Sequence, residues 1–281
     1  MKMFLQFLLI TGIAAVPMLA QPMKPAPVLN IYRETIKEGK AAAHEKTEAE
    51  WVAYYRRAKA PGNYIAFTTL AGTPQAWFIT PLGSFAEREE NDKAFQKEPL
   101  KSSNAALSAR DGELRSASQE IWAVYRPDLS YKVENFNPPK DHYLSLSTYR
   151  VKVGHEQDFT AAAKNYMAAS AKAGLQQSFI CYQIVMGEQA GTYLFFSGMA
   201  SMSGLDGNAD RMKALATAMG LEKFAAFDRS GADFLLSIEN TLLEVRPSMS
   251  YAPQAFLDAD PAFWKPAAAP KPAAAAPAAA K

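Results

Sequence analysis

Over residues 29–37 apolar and polar positions alternate: Leu29, Ile31 and Arg33 fall on one side, and Asn30, Tyr32, Glu34 and Ile36 on the other, the pattern of a half-buried strand. Gly39 ends the alternation and the period lengthens. Over 41–58, His44, Glu48, Trp51, Tyr55 and Ala58 recur at spacings of 4, 3, 4 and 3, which places them on one stripe of a helix stopped by Pro61-Gly62-Asn63. Two more strands are predicted over 64–70 and 76–80, joined by the turn-forming run Ala71-Gly72-Thr73-Pro74. Ser84 and Glu87 stand at capping-box spacing, so a helical region starts there. It runs to about 97, pauses at Pro99, resumes near 104 and feeds a strand over 120–125. The order β-α-β-β-α-β is that of a ferredoxin-like unit, an antiparallel sheet with helices on one face.

The pattern then recurs. Val124-Tyr-Arg-Pro-Asp-Leu-Ser-Tyr131 matches Glu244-Val-Arg-Pro-Ser-Met-Ser-Tyr251 at an offset of 120. Upstream an offset of 115 pairs Gly39 with Gly154, Trp51 with Tyr166, Tyr64 with Phe179 and Gly72 with Gly187. The second copy is expected to place strands over 143–153, 178–186, 192–197 and 240–245, and helices over 157–173, 208–218 and 221–237. Internal duplication of this kind sets the architecture. Each sheet has one uncovered face, and packing the two together buries both. The fold class is therefore α+β: two tandem ferredoxin-like βαββαβ repeats packing sheet to sheet as an intramolecular α+β barrel of eight strands. Dimerisation of the whole chain into a homodimer is the other route.

The ends change the picture. Met1-Lys2, an apolar run over 4–16 and Met18-Leu-Ala20 before Gln21-Pro22 read as a secretory signal over 1–20, with no membrane span after its cleavage. An extended lead-in over 21–27 follows. The repeats occupy 28–131 and 142–251, with a linker over 132–141, a C-terminal extension over 252–264 and a disordered Ala/Pro/Lys tail over 265–281. Cys181 is the single cysteine, so no internal disulfide can form and the exported domains must be held by their cores. Without Lys2, Lys265, Lys271 and Lys281 the folded part carries 26 basic against 28 acidic side chains, and no basic stripe favours nucleic acid.

The strand-to-helix junctions Ile36-Lys-Glu-Gly39 and Val151-Lys-Val-Gly154, with closing strands that end in Arg-Pro, resemble the dimeric α+β barrel superfamily and, within it, NIPSNAP-like proteins. The resemblance implies a small-molecule pocket between a sheet and its helices. It leaves the cofactor and the chemistry open, since the superfamily includes cofactor-independent monooxygenases, haem-degrading enzymes and chlorite dismutase-like haem proteins.

Among the candidate residues His44 is the most informative, because Phe159 takes its place in the second repeat. A titratable ring there suits general acid/base work. His44 and Glu48, at i and i+4, are too few to make a metal site. His142 and His155 are expected on the surface. Trp51, Tyr55, Trp77 and Trp122 enrich the first repeat in large aromatics and are the candidate lining for a small hydrophobic or aromatic ligand. Arg126 and Arg246 either clamp an anion or tie down a strand end. No Gly-rich phosphate loop, Gly-x-Ser-x-Gly, Cys-x-x-Cys or His-Glu-x-x-His occurs. Three readings follow: an exported small-molecule-binding protein with its pocket in the first repeat; a monooxygenase or haem-handling enzyme that uses His44; and a non-catalytic, self-associating envelope protein.

Overall fold

The computed structural model describes residues 23–102 and 105–265. The predicted signal, and the tail apart from Lys265, lie outside the described residues. The first repeat is β1 (Val28–Ile36), α1 (Ala41–Ala58), β2 (Ile65–Thr69), β3 (Gln75–Leu82), α2 (Phe85–Phe95), α3 (Ala105–Leu114) and β4 (Arg115–Tyr125). The second is β5 (Tyr143–Val151), α4 (Glu156–Lys172), β6 (Ile180–Met186), β7 (Thr192–Met199), α5 (Asn208–Met219), α6 (Leu221–Phe234) and β8 (Leu235–Val245). Two short helices, α7 (Gln254–Ala259) and α8 (Pro261–Trp264), end the described chain.

Each repeat orders its strands as a ferredoxin-like sheet, β4-β1-β3-β2 and β6-β7-β5-β8, and the two join edge to edge into one closed antiparallel barrel. The seams are β2 with β8, where Phe67 faces Val245, and β4 with β6, where Val124 faces Gln183. Closure leaves neither sheet with a free edge. It also sets what each strand face does. Leu29, Ile31, Trp77, Ile121, Leu146, Leu194 and Leu243 point inward and make one core. The outward positions meet the helices: Val151, Cys181 and Tyr193 pack with Phe159 of α4 and Phe234 of α6, while Ile36, Ala66, Ala76 and Phe78 form the matching cluster of the first repeat.

Local signals behave as their chemistry dictates. Ser84 Oγ accepts from the Glu87 N–H at 3.1 Å, and the Glu87 carboxylate accepts from the Gly83 N–H at 2.7 Å, so the two side chains cap α2 reciprocally. The closing strands start earlier than predicted, at Arg115 and Leu235 rather than at 120 and 240, and α6 accordingly ends at Phe234 rather than at 237. Ala117 and Ser118 are weak strand formers, but β1 offers them partners, Ser118 facing Glu34 and Ala117 facing Thr35, with Ser116 left at the bulge, and the ladder overrides propensity. β5 stops at Val151 instead of 153, after a bulge next to Arg150 that repeats the one between Thr35 and Ile36.

The repeated Arg-Pro-x-x-Ser-Tyr motif is the clasp of the barrel. In one copy the Arg126 N–H donates to Cys181 O at 2.9 Å, and the Cys181 N–H donates to Ser130 Oγ at 2.9 Å. In the other the Arg246 N–H donates to Ala66 O at 2.8 Å, and the Ala66 N–H donates to Ser250 Oγ at 2.9 Å. Tyr131 and Tyr251 then bridge to Phe179 and Tyr64. Each repeat thus grips the other with its own last residues. Ser250 is fully buried, so Ser250→Ala strands the Ala66 N–H without a partner. A loss of about 1–3 kcal/mol is expected in urea unfolding.

Residues 132–141 and 252–264 do more than connect. Val133, Phe136, Phe256 and Trp264 all pack on the barrel core, and the Trp264 indole N–H donates to Pro139 O at 2.7 Å. Together with Ala26 they cap one end of the barrel. The other end is closed by polar groups: Arg33 pairs with Glu188 at 3.1 Å, hydrogen-bonds Gln119 and lies over the Trp77 ring at 5.1 Å.

Candidate functional site

Two places in the first repeat and the barrel have chemistry beyond packing. The first lies on the outer face of the first sheet. The alternation of β1 turns Glu34 outward, the i,i+4 spacing of α1 puts His44 and Glu48 above it, α3 brings Asp111, and Arg115 opens β4 beside them. The His44 Nε2 lies 2.7 Å from Glu34 Oε2, 3.6 Å from Asp111 Oδ1 and 3.9 Å from Glu48 Oε1. Arg115 ion-pairs with Glu34, lies 3.3 Å from Asp111 Oδ2 and donates to the Tyr32 hydroxyl at 2.9 Å. Glu34, His44, Glu48 and Asp111 are all buried, and one donor atom from each falls within 4.8 Å of the others.

Packing three carboxyl groups this closely makes ionising all of them costly. Burial, and then repulsion from Glu34 and Asp111, push Glu48 up to about 9, so it holds its proton at neutral pH. Burial and the Glu34 charge raise Asp111 as well, against the pull of Arg115 and His44. Asp111 Oδ1 is buried without a hydrogen-bond partner although it points at the His44 ring. In apolar surroundings such an atom costs about 1–3 kcal/mol.

The second repeat shows what the fold itself requires at this spot. The offset of 115 places Tyr149, Phe159 and Ala163 where Glu34, His44 and Glu48 stand, and the offset of 120 places Gly231 and Leu235 where Asp111 and Arg115 stand. There the space is filled by rings, with Phe159 4.6 Å from Tyr193 and 5.6 Å from Tyr149. The architecture is therefore content with an apolar plug, and the charged set is a property of the first repeat.

The second place is a cavity of about 160 Å³ inside the capped end of the barrel. Leu29, Ile65, Phe67, Ile79, Leu144, Ile180 and Val245 form its wall, and Ala26, Phe136 and Phe256 its cap. Asp141 also reaches it; burial pushes this carboxyl up to about 6, against the lowering influence of the Asn137 N–H and His142. The cavity lies inside the barrel, whereas the resemblance implied a pocket between sheet and helices. The reason is the cap: residues 132–141, a linker by composition, fold over the barrel mouth and leave a partly open pocket beneath them.

The sequence-derived site residues do not converge. Trp51 stacks on Tyr55 at 5.7 Å along α1, and Tyr55 meets Tyr64, Phe95 and Tyr251. Trp77 is inside the barrel near its polar end, with its indole N–H on Gln75 at 3.0 Å. Trp122 packs against Phe85 at 5.6 Å with Arg88 above its ring. Arg126 ties its strand end through Asp128, both N–H···O distances being 2.9 Å. None of the five lines the cavity. His44 is 2 % exposed and borders neither that cavity nor the open groove between α4 and α6. Sequence reasoning found His44 and Glu48 and missed Glu34, Asp111 and Arg115. The remaining histidines are paired, His142 with Asp260 at 2.9 Å and His155 with Asp158 at 2.8 Å.

No model of a known protein family matches the chain, and no curated protein sequence matches it. Among solved structures, a candidate monooxygenase from Fusobacterium nucleatum is 12 % identical, with 79 % of this chain and 94 % of that one covered and a TM-score of 0.49. An anthrone oxidase-like protein gives 12 %, 78 % and 91 %, and 0.49. A mutant chlorite dismutase from Candidatus Nitrospira defluvii, in complex with cyanide, gives 9 %, 80 % and 93 %, and 0.46. At this identity and overlap the likenesses say nothing of activity, and the α+β barrel is defined by the strand order itself. Among the described residues no helix is long and apolar enough to cross a membrane.

Proposed function

We propose that the protein binds a small apolar molecule in the capped end of its barrel, and that it does so outside the cytoplasm, where the signal expected over 1–20 would deliver it. The observation that supports this reading is the apolar cavity of about 160 Å³ beneath Phe136 and Phe256. Its size is close to that of an apolar cavity of roughly 150 Å³ that takes up benzene in another protein. The wall selects for ring-sized hydrocarbon bodies, and Asp141, protonated below about pH 6, is the group that would donate a hydrogen bond to a polar substituent. The NIPSNAP-like kinship of the Gly39 and Gly154 junctions belongs to the same proposal and adds no chemistry to it.

Titration calorimetry and thermal unfolding with toluene, indole and p-cresol test this. A ligand at a hundred times its Kd should stabilise the fold by about 2.7 kcal/mol, and Ile180→Phe, which fills the cavity, should abolish the effect. If none of the three probes shifts the midpoint, or if Ile180→Phe leaves the shift intact, the proposal is wrong.

Asp141 adds a pH dependence. Its folded pKa is raised, so the neutral form is the one the fold and an apolar ligand favour. Stability and affinity from this group are full below the ordinary carboxylate range and decline as pH rises through about 6. Affinity for toluene should therefore be higher at pH 5 than at pH 8, and Asp141→Asn should flatten the profile.

A further inference from the structure

We infer that Glu34, His44, Glu48 and Asp111 form a binding site for one first-row divalent transition-metal ion, of the Mn²⁺, Fe²⁺ or Zn²⁺ class, held between β1, α1 and α3 of the first repeat. This site is separate from the barrel cavity and stands or falls independently of the ligand proposed there.

Three observations carry it. The donor set is one imidazole nitrogen with three carboxylate oxygens, gathered from three elements to within 4.8 Å of one another and buried. Ligand atoms about 2.0–2.2 Å from an ion lie roughly 3–3.5 Å apart. The 3.6 and 3.9 Å separations need only a slight contraction, while the His44 to Glu34 contact of 2.7 Å must open as its hydrogen bond gives way to the metal. Second, Asp111 Oδ1 is buried, faces His44 and has no hydrogen-bond partner. The Asp111 carboxyl draws on a proton shared with Glu48 rather than on a dedicated donor, and an ion between the two would satisfy both. Third, the equivalent positions Tyr149, Phe159, Ala163, Gly231 and Leu235 show that packing alone does not call for charge here.

Charge and donor type narrow the ion. Three carboxyl groups face one guanidinium, Arg115, so a divalent cation that displaces the Glu48 proton balances their charge. An imidazole in an otherwise oxygen set favours Mn²⁺, Fe²⁺ or Zn²⁺ over Mg²⁺ and Ca²⁺, which take oxygen ligands alone. Arg115, paired to Glu34 and partly exposed, holds that carboxylate in place from the solvent side as a positioning residue.

The test uses the full chain, stripped with chelator and dialysed, then offered Mn²⁺, Zn²⁺ or Co²⁺. After gel filtration, elemental analysis should find one ion per chain, and Co²⁺ should show visible absorption bands of a protein-bound ion. Glu34→Gln and His44→Phe should each weaken Zn²⁺ binding by at least about 100-fold, more than the loss typical of outer-shell changes. His142→Ala and His155→Ala should leave it unchanged. Because a single change could unfold the cluster, a five-residue variant that copies the second repeat serves as a folded blank: Glu34→Tyr, His44→Phe, Glu48→Ala, Asp111→Gly and Arg115→Leu. If the wild-type chain retains no more of any ion than this blank, or if His142→Ala and His155→Ala remove the binding, the site does not exist as inferred.

Discussion

Arg115→Met should destabilise the metal-free protein by about 3–5 kcal/mol, the loss expected when one partner of a buried ionic group is removed and the other charges are left behind. Glu34 is 2 % exposed and would lose its guanidinium partner, keeping only the hydrogen bond to His44, with Asp111 and Glu48 close by. The five-residue copy of the second repeat should behave in the opposite way. It removes every charge together and fills the space with an aromatic pair that already packs in this fold at 5.6 Å, as Tyr149 and Phe159 do. Whole replacement of a buried ionic set by matched apolar side chains is neutral or stabilising by about 1–4 kcal/mol. Urea unfolding of the two variants checks both signs. A harmless Arg115→Met would mean that Glu34 does not depend on that charge, and a five-residue variant that is the weaker of the two would mean that the charged set contributes net stability as it stands.

Gly187→Ala should cost about 3 kcal/mol or more, while the same change at Gly72 should cost about 1 kcal/mol. The two glycines are equivalents under the 115 offset, and both have positive φ, +87° and +83°. They share the strain of placing an L side chain there. They differ in what a Cβ would meet: at Gly72 nothing lies within 4 Å, whereas at Gly187 it would fall 2.0 Å from the Glu120 carbonyl oxygen. That carbonyl belongs to β4, which pairs with β6 across one of the two seams that close the barrel. Backbone cannot move aside as a flexible side chain can, so the seam itself must part. Hydrogen exchange at Arg126, whose amide donates to Cys181 O across that seam, should rise in Gly187→Ala and stay slow in Gly72→Ala.

Much of the architecture was legible because the duplication is written twice. The predicted bounds of α1, 41–58, are those observed, since the stripe from His44 to Ala58 and the stop at Pro61-Gly62 are both local signals. Ends set by partners elsewhere were not legible. Ala117 to Gln119 become strand only because Thr35 to Arg33 lie beside them, and nothing within that stretch announces it. The same holds for the cap, where Phe136 and Trp264 look like isolated aromatics in Pro-rich sequence until the barrel mouth is placed beneath them. The charged cluster was half visible. His44 stood out against Phe159, and the same comparison sets Glu34 against Tyr149, Glu48 against Ala163, Asp111 against Gly231 and Arg115 against Leu235. Read position by position, that contrast marks all five residues. The aromatic count instead led to Trp51, Trp77 and Trp122, which pack on three different surfaces.

The barrel cavity is the feature on which the functional reading depends, and methyl-resolved NMR addresses it directly. With toluene added to the isotopically labelled full chain, the methyl resonances of Ile65, Ile79, Leu144, Ile180 and Val245 should shift together and saturate, while those of Val52 and Leu107 outside the barrel stay in place. Methyls around the cavity that do not respond, or a response centred on α1 and α3 instead, would contradict it.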